Sequence, residues 1–168
     1  KAIIRQLKFY KKYFKGFENA YVSDIAAMVG IRESRNIEAD YVLTAVDLLS
    51  RKKFDDMFCQ SNYPVDIHGM VLRCEHNGEA ADDGKPWYEI PYRSLVVKGF
   101  DNLFIVGRCL GAEFIAQSSL RIQLSARSSG ECAGIAAAGA LDKGITPKEV
   151  DGKEIREIMI SKGADFLD

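Results

Sequence analysis

Two arginines, Arg32 and Arg35, bracket Glu33 in the hexapeptide GIRESR at residues 30–35. Paired guanidiniums suit an anionic group, because each offers a planar fork of N–H donors to a carboxylate or phosphate. The same residues also suit an ion-pair network tying a strand to a loop. Asp66 and His68 form a D-x-H pair. On a strand both face one side, so the carboxylate can orient an acid–base imidazole, His68 being the catalytic candidate. Alternatively His68 is a hydrogen-bonded structural residue. Arg108 follows a short apolar run and Gly107. Its donors match phosphate or hydroxyl oxygens, or close a surface ion pair. Arg121, two residues after Ser119, leads into Ile122 and Gln123 at an expected helix start, where backbone N–H groups carry about half a positive charge. Arg93, beside Tyr92, is a further candidate for an anionic substrate, or a packing residue.

These groups need elements to hold them. Residues 103–106 read as a buried strand that breaks at Gly107. Residues 125–140 read as a helix in which Ala126, Gly130, Gly134 and Ala138 recur every four positions and share a face. Interior glycine costs roughly 1 kcal/mol against alanine. The expected return is close approach of that face to a sheet or ligand. A strand, a glycine turn and a helix present N–H groups to an anionic or electron-rich ligand. Residues 35–44 alternate, with Arg35, Ile37, Ala39, Tyr41 and Leu43 on one face, and predict a half-buried strand. Thr44 and Asp47 predict a capping box for a helix through Leu48 and Leu49; Phe54, Met57 and Phe58 predict further helical turns. Residues 63–72 read as extended with an interruption at Gly69, 74–86 as a turn-rich hairpin connection, and 87–97 as the returning strand, with Pro91 marking an edge or bulge. Helix starts are expected at Thr146-Pro147 and at Asp151, the latter opening a helix through Ile155, Ile158 and Met159 that stops at Gly163.

The segment from 101 to 141 resembles the C-terminal FAD-contacting element of bacterial FAD-dependent oxidoreductases. The resemblance rests on Gly107-Arg108, on Ser119-x-Arg121 and on the Gly/Ala-rich helix, together with GIRESR (30–35), YPVDIH (63–68) and IPYRSLV (90–96). It implies FAD as cofactor and hydride transfer at flavin N5. It places Gly107, Arg108, Ser119, Ile122 and Gln123 at the cofactor, His68 and Arg121 at the chemistry, and Arg32, Arg35 and Arg93 at a small, anionic substrate. Such enzymes hold the FAD pyrophosphate on a strand–G-x-G-x-x-G–helix unit, and no G-x-G-x-x-G occurs here. The expectation is a single compact fragment of a larger two-domain flavoenzyme, with the missing N-terminal FAD-binding half as its partner. Residues 21–99 would be substrate-side, 100–141 the FAD-domain element and 146–163 a C-terminal helix. The fragment alone is expected to be inactive and to bind FAD weakly or not at all.

The predicted fold class is α+β: a mixed, mainly antiparallel sheet with packed helices and one long Gly/Ala-rich helix. At 168 residues, 47% hydrophobic and 28% charged, the chain has the composition of an ordinary globular domain. Its net charge of −1 gives no whole-chain bias toward nucleic acid. Residues 1–15 carry six basic side chains and no acid at helical apolar spacing; such a helix can lie on a membrane or contact nucleic acid, and the favoured reading is a solvated basic face with an apolar stripe on the domain. No apolar run reaches membrane-span length. The four cysteines have no metal-ligand spacing and read as free thiols of a reducing compartment, favouring the cytoplasm. The competing class is a non-enzymatic binding or scaffold module whose Gly/Ala helix only packs.

Overall fold

The computed structural model describes residues 1–28, 30–33, 35–67, 70–72 and 85–167. His68 and the expected hairpin turns within 73–84 lie outside the described residues. The chain divides into two compact units, Lys1–Ile31 and Arg32–Asp168.

In the first unit, helix α1 (Ala2–Tyr13) has no buried residue. Its apolar spacing instead collects rings along one side. Phe9 and Tyr13 lie 4.9 Å apart, Tyr10 stacks on Phe17 at 5.3 Å, and Phe14 bridges them. Gly16, at φ +95°, ends the basic segment as the sequence predicts, and its N–H is held by the Glu18 carboxylate.

The second unit holds the core, with Leu43, Leu48, Phe58, Tyr88, Ile90, Leu95, Leu110 and Leu120 at 1% exposure or less. The alternating run keeps its two faces over 37–43, where Ala39 and Leu43 are buried and Glu38, Asp40 and Val42 exposed, but Arg35, expected on the inward face, is exposed because its charged head stays in water. It makes isolated bridges rather than a regular ladder. Ala39 bridges Val97 antiparallel and Leu43 bridges Ala112 parallel, so the run lies between two other extended segments. Gly111 makes this crossing possible. A Cβ there would sit 2.4 Å from Ala39 Cβ and 2.8 Å from Tyr41 O.

The Thr44–Asp47 box forms as expected and starts α2 (Ala45–Leu49). Past α2 the expectation of further helical turns fails. Met57–Ser61 is strand β1, and its side chains are buried on both faces apart from Gln60. A run buried on both faces carries no period that separates strand from helix. The extended reading of 63–72 resolves into Val65–Ile67 (β2) and Met70–Leu72 (β3), which pair antiparallel, and the expected interruption at Gly69 lies outside the described residues. The returning strand is only Tyr88–Pro91 (β4), antiparallel to β1 with a register shift between Met57 and Cys59, beside Pro91. Residues 92–94 then turn in a 3-10 helix. The architecture is therefore α+β, with two antiparallel two-stranded sheets among the described residues.

Three helices complete the unit: α3 (Phe114–Leu120), α4 (Gln123–Lys143) and α5 (Gly152–Ser161). The Thr146 pattern makes a capping box on a 3-10 turn, and the helix proper begins at the Asp151 cap. Gly163 follows its end at φ +101°. Two expectations are overturned. The run 103–106 is not a buried strand: Phe104 alone bridges Val96, while Leu103 and Val106 are more than one-third exposed. The buried face of α4 is Ser125, Ser129, Cys132, Ala133, Ala136 and Ala140. Gly130, Gly134 and Ala138 are exposed, and a Cβ on either glycine meets nothing within 4 Å. Small residues occur on both sides of this helix, so spacing alone placed the close-packed face wrongly. Among the described residues no helix is long and apolar enough to cross a membrane.

Candidate functional site

Helix α3 closes at Arg121, and Ile122 is extended (ψ 163°) before α4 begins. The expected single helix start over 119–123 is therefore a kink between two helices. Ile122 sits at the N-cap, where an oxygen-bearing side chain is usual, and gives no side-chain cap bond. The first intrahelical bond runs from Ala126 N to Ile122 O. The N–H groups of Gln123, Leu124 and Ser125 precede it and have no acceptor within the helix. They bring the positive end of a 21-residue helix to the kink.

A cavity of about 260 Å³ opens beside this end. Arg32, Arg108 and Arg121 line it, with Asp66, Tyr63, Ser118, Ile122 and Gln123. Arg121 is the most enclosed of the three guanidiniums, its side chain 11% exposed. Its Nη2 donates to the Asp66 main-chain oxygen at 2.7 Å, and Nη1 lies 3.5 Å from Glu33. Arg32 Nη2 donates to Asp66 Oδ2 at 2.9 Å, with a half-exposed side chain. Arg108 Nε reaches Arg121 O at 3.4 Å. The ion-pair reading of GIRESR is thus realised by Arg32, which lines the pocket, and by Glu33, which pairs with the pocket residue Arg121.

The Gly107 turn is fixed from two sides. Gly107 has φ +74°, a region that favours glycine. Its N–H donates to Ser129 Oγ at 2.8 Å, and Gln117 Nε2 donates to the carbonyl of Arg108. Gln117 is fully buried, and its Oε1 has no partner among the described residues. Gln117 and Ser129 were not candidates from sequence. A polar residue on the buried face of an otherwise apolar or small-residue helix was their available signal.

The other candidates separate. Ser119 is fully buried, its hydroxyl 2.6 Å from Tyr63 O and 2.7 Å from Tyr88 Oη, so it closes internal contacts instead of capping α4. Arg93 pairs with Asp56 at 2.9 and 3.1 Å and lines a different cavity, at the start of α5. Arg35 is exposed and does not line the arginine pocket. Asp66, expected to orient His68, gives a carboxylate oxygen to Arg32. Burial raises the Cys59 and Cys132 thiols, which keeps both protonated and inert. Among the described residues no group of three or more metal-ligating side chains converges.

The arrangement has the chemistry of an electron-rich ligand site: an uncapped helix N-terminus, three guanidiniums and the Asp66 carboxylate line one small cavity among the described residues. No curated protein and no solved structure gives a significant match. A family model does, the FAD dependent oxidoreductase, and it spans residues 1–159. This protein belongs to the FAD-dependent oxidoreductase family.

Proposed function

We propose that the chain supplies the flavin- and substrate-contacting surface of an FAD-dependent oxidoreductase, and that residues outside it hold the FAD pyrophosphate. The observation carrying this reading is the uncapped N-terminus of α4 opening into the arginine-lined pocket. The donors present suit the electron-rich pyrimidine edge of a flavin, which accepts hydrogen bonds and gains negative charge on reduction. They do not suit the whole dinucleotide, since the sequence has no G-x-G-x-x-G and the cavity is smaller than a typical ligand pocket.

The cofactor supplies the hydride chemistry at N5. This chain's residues orient and stabilise. The N–H groups of Gln123 and Leu124 would donate to the pyrimidine oxygen and stabilise charge as it develops. Arg108, on the Gly107 turn, would donate to ribityl or phosphate oxygens. Arg121 and Arg32 would face an anionic substrate. His68 is proposed as the acid–base group at the open flavin face. Spectroscopy on the full-length protein tests the reading. A visible flavin band, with free FAD recovered on denaturation, is the expected result. A colourless full-length protein that takes up no FAD on reconstitution would overturn it and favour the scaffold module.

A further inference from the structure

The near-zero net charge of the chain hides a division between its two units. Residues 1–31 hold six basic and two acidic side chains, whereas residues 32–168 hold 17 basic and 22 acidic. All six cations of the first unit precede Gly16, with no acid among them. Among the described residues none of the six is in an ion pair. Helix α1 separates these charges from its apolar side chains. Arg5, Lys8 and Lys12, three and four positions apart, share one face. Ile3, Leu7 and Tyr10 hold the opposite face, and Phe14 follows at its end. No residue of α1 is buried, and Phe9 and Tyr13 are 51% and 62% exposed. A 12-residue helix that buries nothing is marginal in water and takes its stability from whatever covers it.

We infer that α1 is an interfacial anchor that lies in the plane of an anionic lipid bilayer. Arg5, Lys8 and Lys12 reach the headgroup phosphates, and Ile3, Leu7, Tyr10 and Phe14 enter the acyl boundary. The long cationic stems let the charges stay at the headgroups while the helix body sinks. Tyrosine suits that boundary, since its ring is apolar and its hydroxyl is wet. Charge and stripe together select this partner. Nucleic acid matches the cations, but its phosphates have no use for Ile3, Leu7 and the exposed Phe9. A second copy would bring two unpaired basic faces together. The acidic second unit adds no attraction to an anionic surface, so binding falls to residues 1–31.

Flotation of the full-length protein with vesicles of equal parts phosphatidylglycerol and phosphatidylcholine, beside vesicles of phosphatidylcholine alone, tests the inference. Capture by the anionic vesicles, weakened by high salt and at least roughly tenfold weaker without phosphatidylglycerol, is expected. Lys8→Glu combined with Lys12→Glu should lower the partition coefficient roughly a hundredfold. Phe9→Gln combined with Tyr13→Gln should lower it roughly tenfold. All four positions are exposed, and circular dichroism melts verify that each variant is folded. No capture of the wild type by anionic vesicles would overturn the anchor, and another part of the full-length chain would then be the cover of α1. Capture unchanged by the charge reversals would overturn its placement at α1. Capture lost on charge reversal but untouched by the ring substitutions would overturn insertion and leave a purely electrostatic contact. Binding of a random-sequence DNA duplex in place of vesicles would overturn the lipid assignment in favour of nucleic acid.

Discussion

The Gly107 N–H donates to Ser129 Oγ at 2.8 Å, across 22 positions of sequence. That bond fastens the turn carrying Arg108 to the second turn of α4, while the same hydroxyl donates to Ala126 O at 2.7 Å. One serine thereby couples the loop to the helix whose N-terminus forms the pocket. Ser129→Ala leaves a part-buried amide without its acceptor, which costs about 1–3 kcal/mol. Denaturant unfolding should show that loss, and hydrogen exchange at 107–109 should accelerate. Wild-type exchange in the variant would mean that the turn is held elsewhere.

Two glycines should respond oppositely to substitution. Gly111→Ala drives a methyl against Ala39 Cβ and the Tyr41 carbonyl, neither a flexible side-chain end, and overpacking of this kind costs about 1–3 kcal/mol. Gly134→Leu places its side chain in open space on α4, where leaving glycine gains up to about 1 kcal/mol of helix propensity. Thermal melts of the two variants decide the matter. A destabilised Gly134→Leu would show that its face is covered after all.

That contrast marks where the sequence was readable. Alternation over 37–43 identifies which side chains turn inward, and the Thr44–Asp47 and Asp151 caps locate two helix starts, because these signals are local. The β1 segment carries no strand signal because burial on both faces erases periodicity. The buried face of α4 is not legible from spacing because Ala, Ser and Gly differ too little in apolarity to rank its sides. Arg32 and Arg121 were chosen from sequence, but their convergence on Asp66 depends on contacts 34 and 55 positions apart. Arg93 carries the same chemistry and ends at another cavity, which residue type alone does not reveal.

Acid should weaken the α2 cap in a defined direction. Burial alone would raise the Asp47 carboxyl. Bonds from the Thr44 amide, Lys52, the Thr44 hydroxyl and Tyr41 outweigh it and hold the group below the usual carboxylate range. A depressed folded value means that this stabilisation is complete above the unfolded value of about 3.9 and is lost as the pH falls through the folded one. Asp47→Ala should therefore destabilise the chain by about 1–2 kcal/mol at neutral pH. The gap to wild type should narrow in acid. Urea titrations at several pH values measure it, and a gap independent of pH would remove the carboxylate's charge from the account.

Arg121 carries two roles that a pair of substitutions can separate. Its guanidinium lines the pocket and also braces the Asp66 backbone and Glu33 from a nearly enclosed position. Arg121→Ala in the full-length protein should lower stability, since losing a charged hydrogen bond costs about 1.5–3 kcal/mol, and should impair turnover as well. Arg121→Lys keeps the charge but loses the planar fork. It should recover most of the stability, since one ammonium still reaches the Asp66 oxygen, but little of the substrate affinity, since carboxylate recognition uses parallel N–H donors. FAD content should stay near wild type in both variants if the cofactor rests on the α4 N–H groups and Arg108. Loss of FAD from a well-folded Arg121→Lys would transfer Arg121 from the substrate to the cofactor. Normal substrate affinity and turnover in that variant would leave Arg121 as a brace for the pocket wall alone.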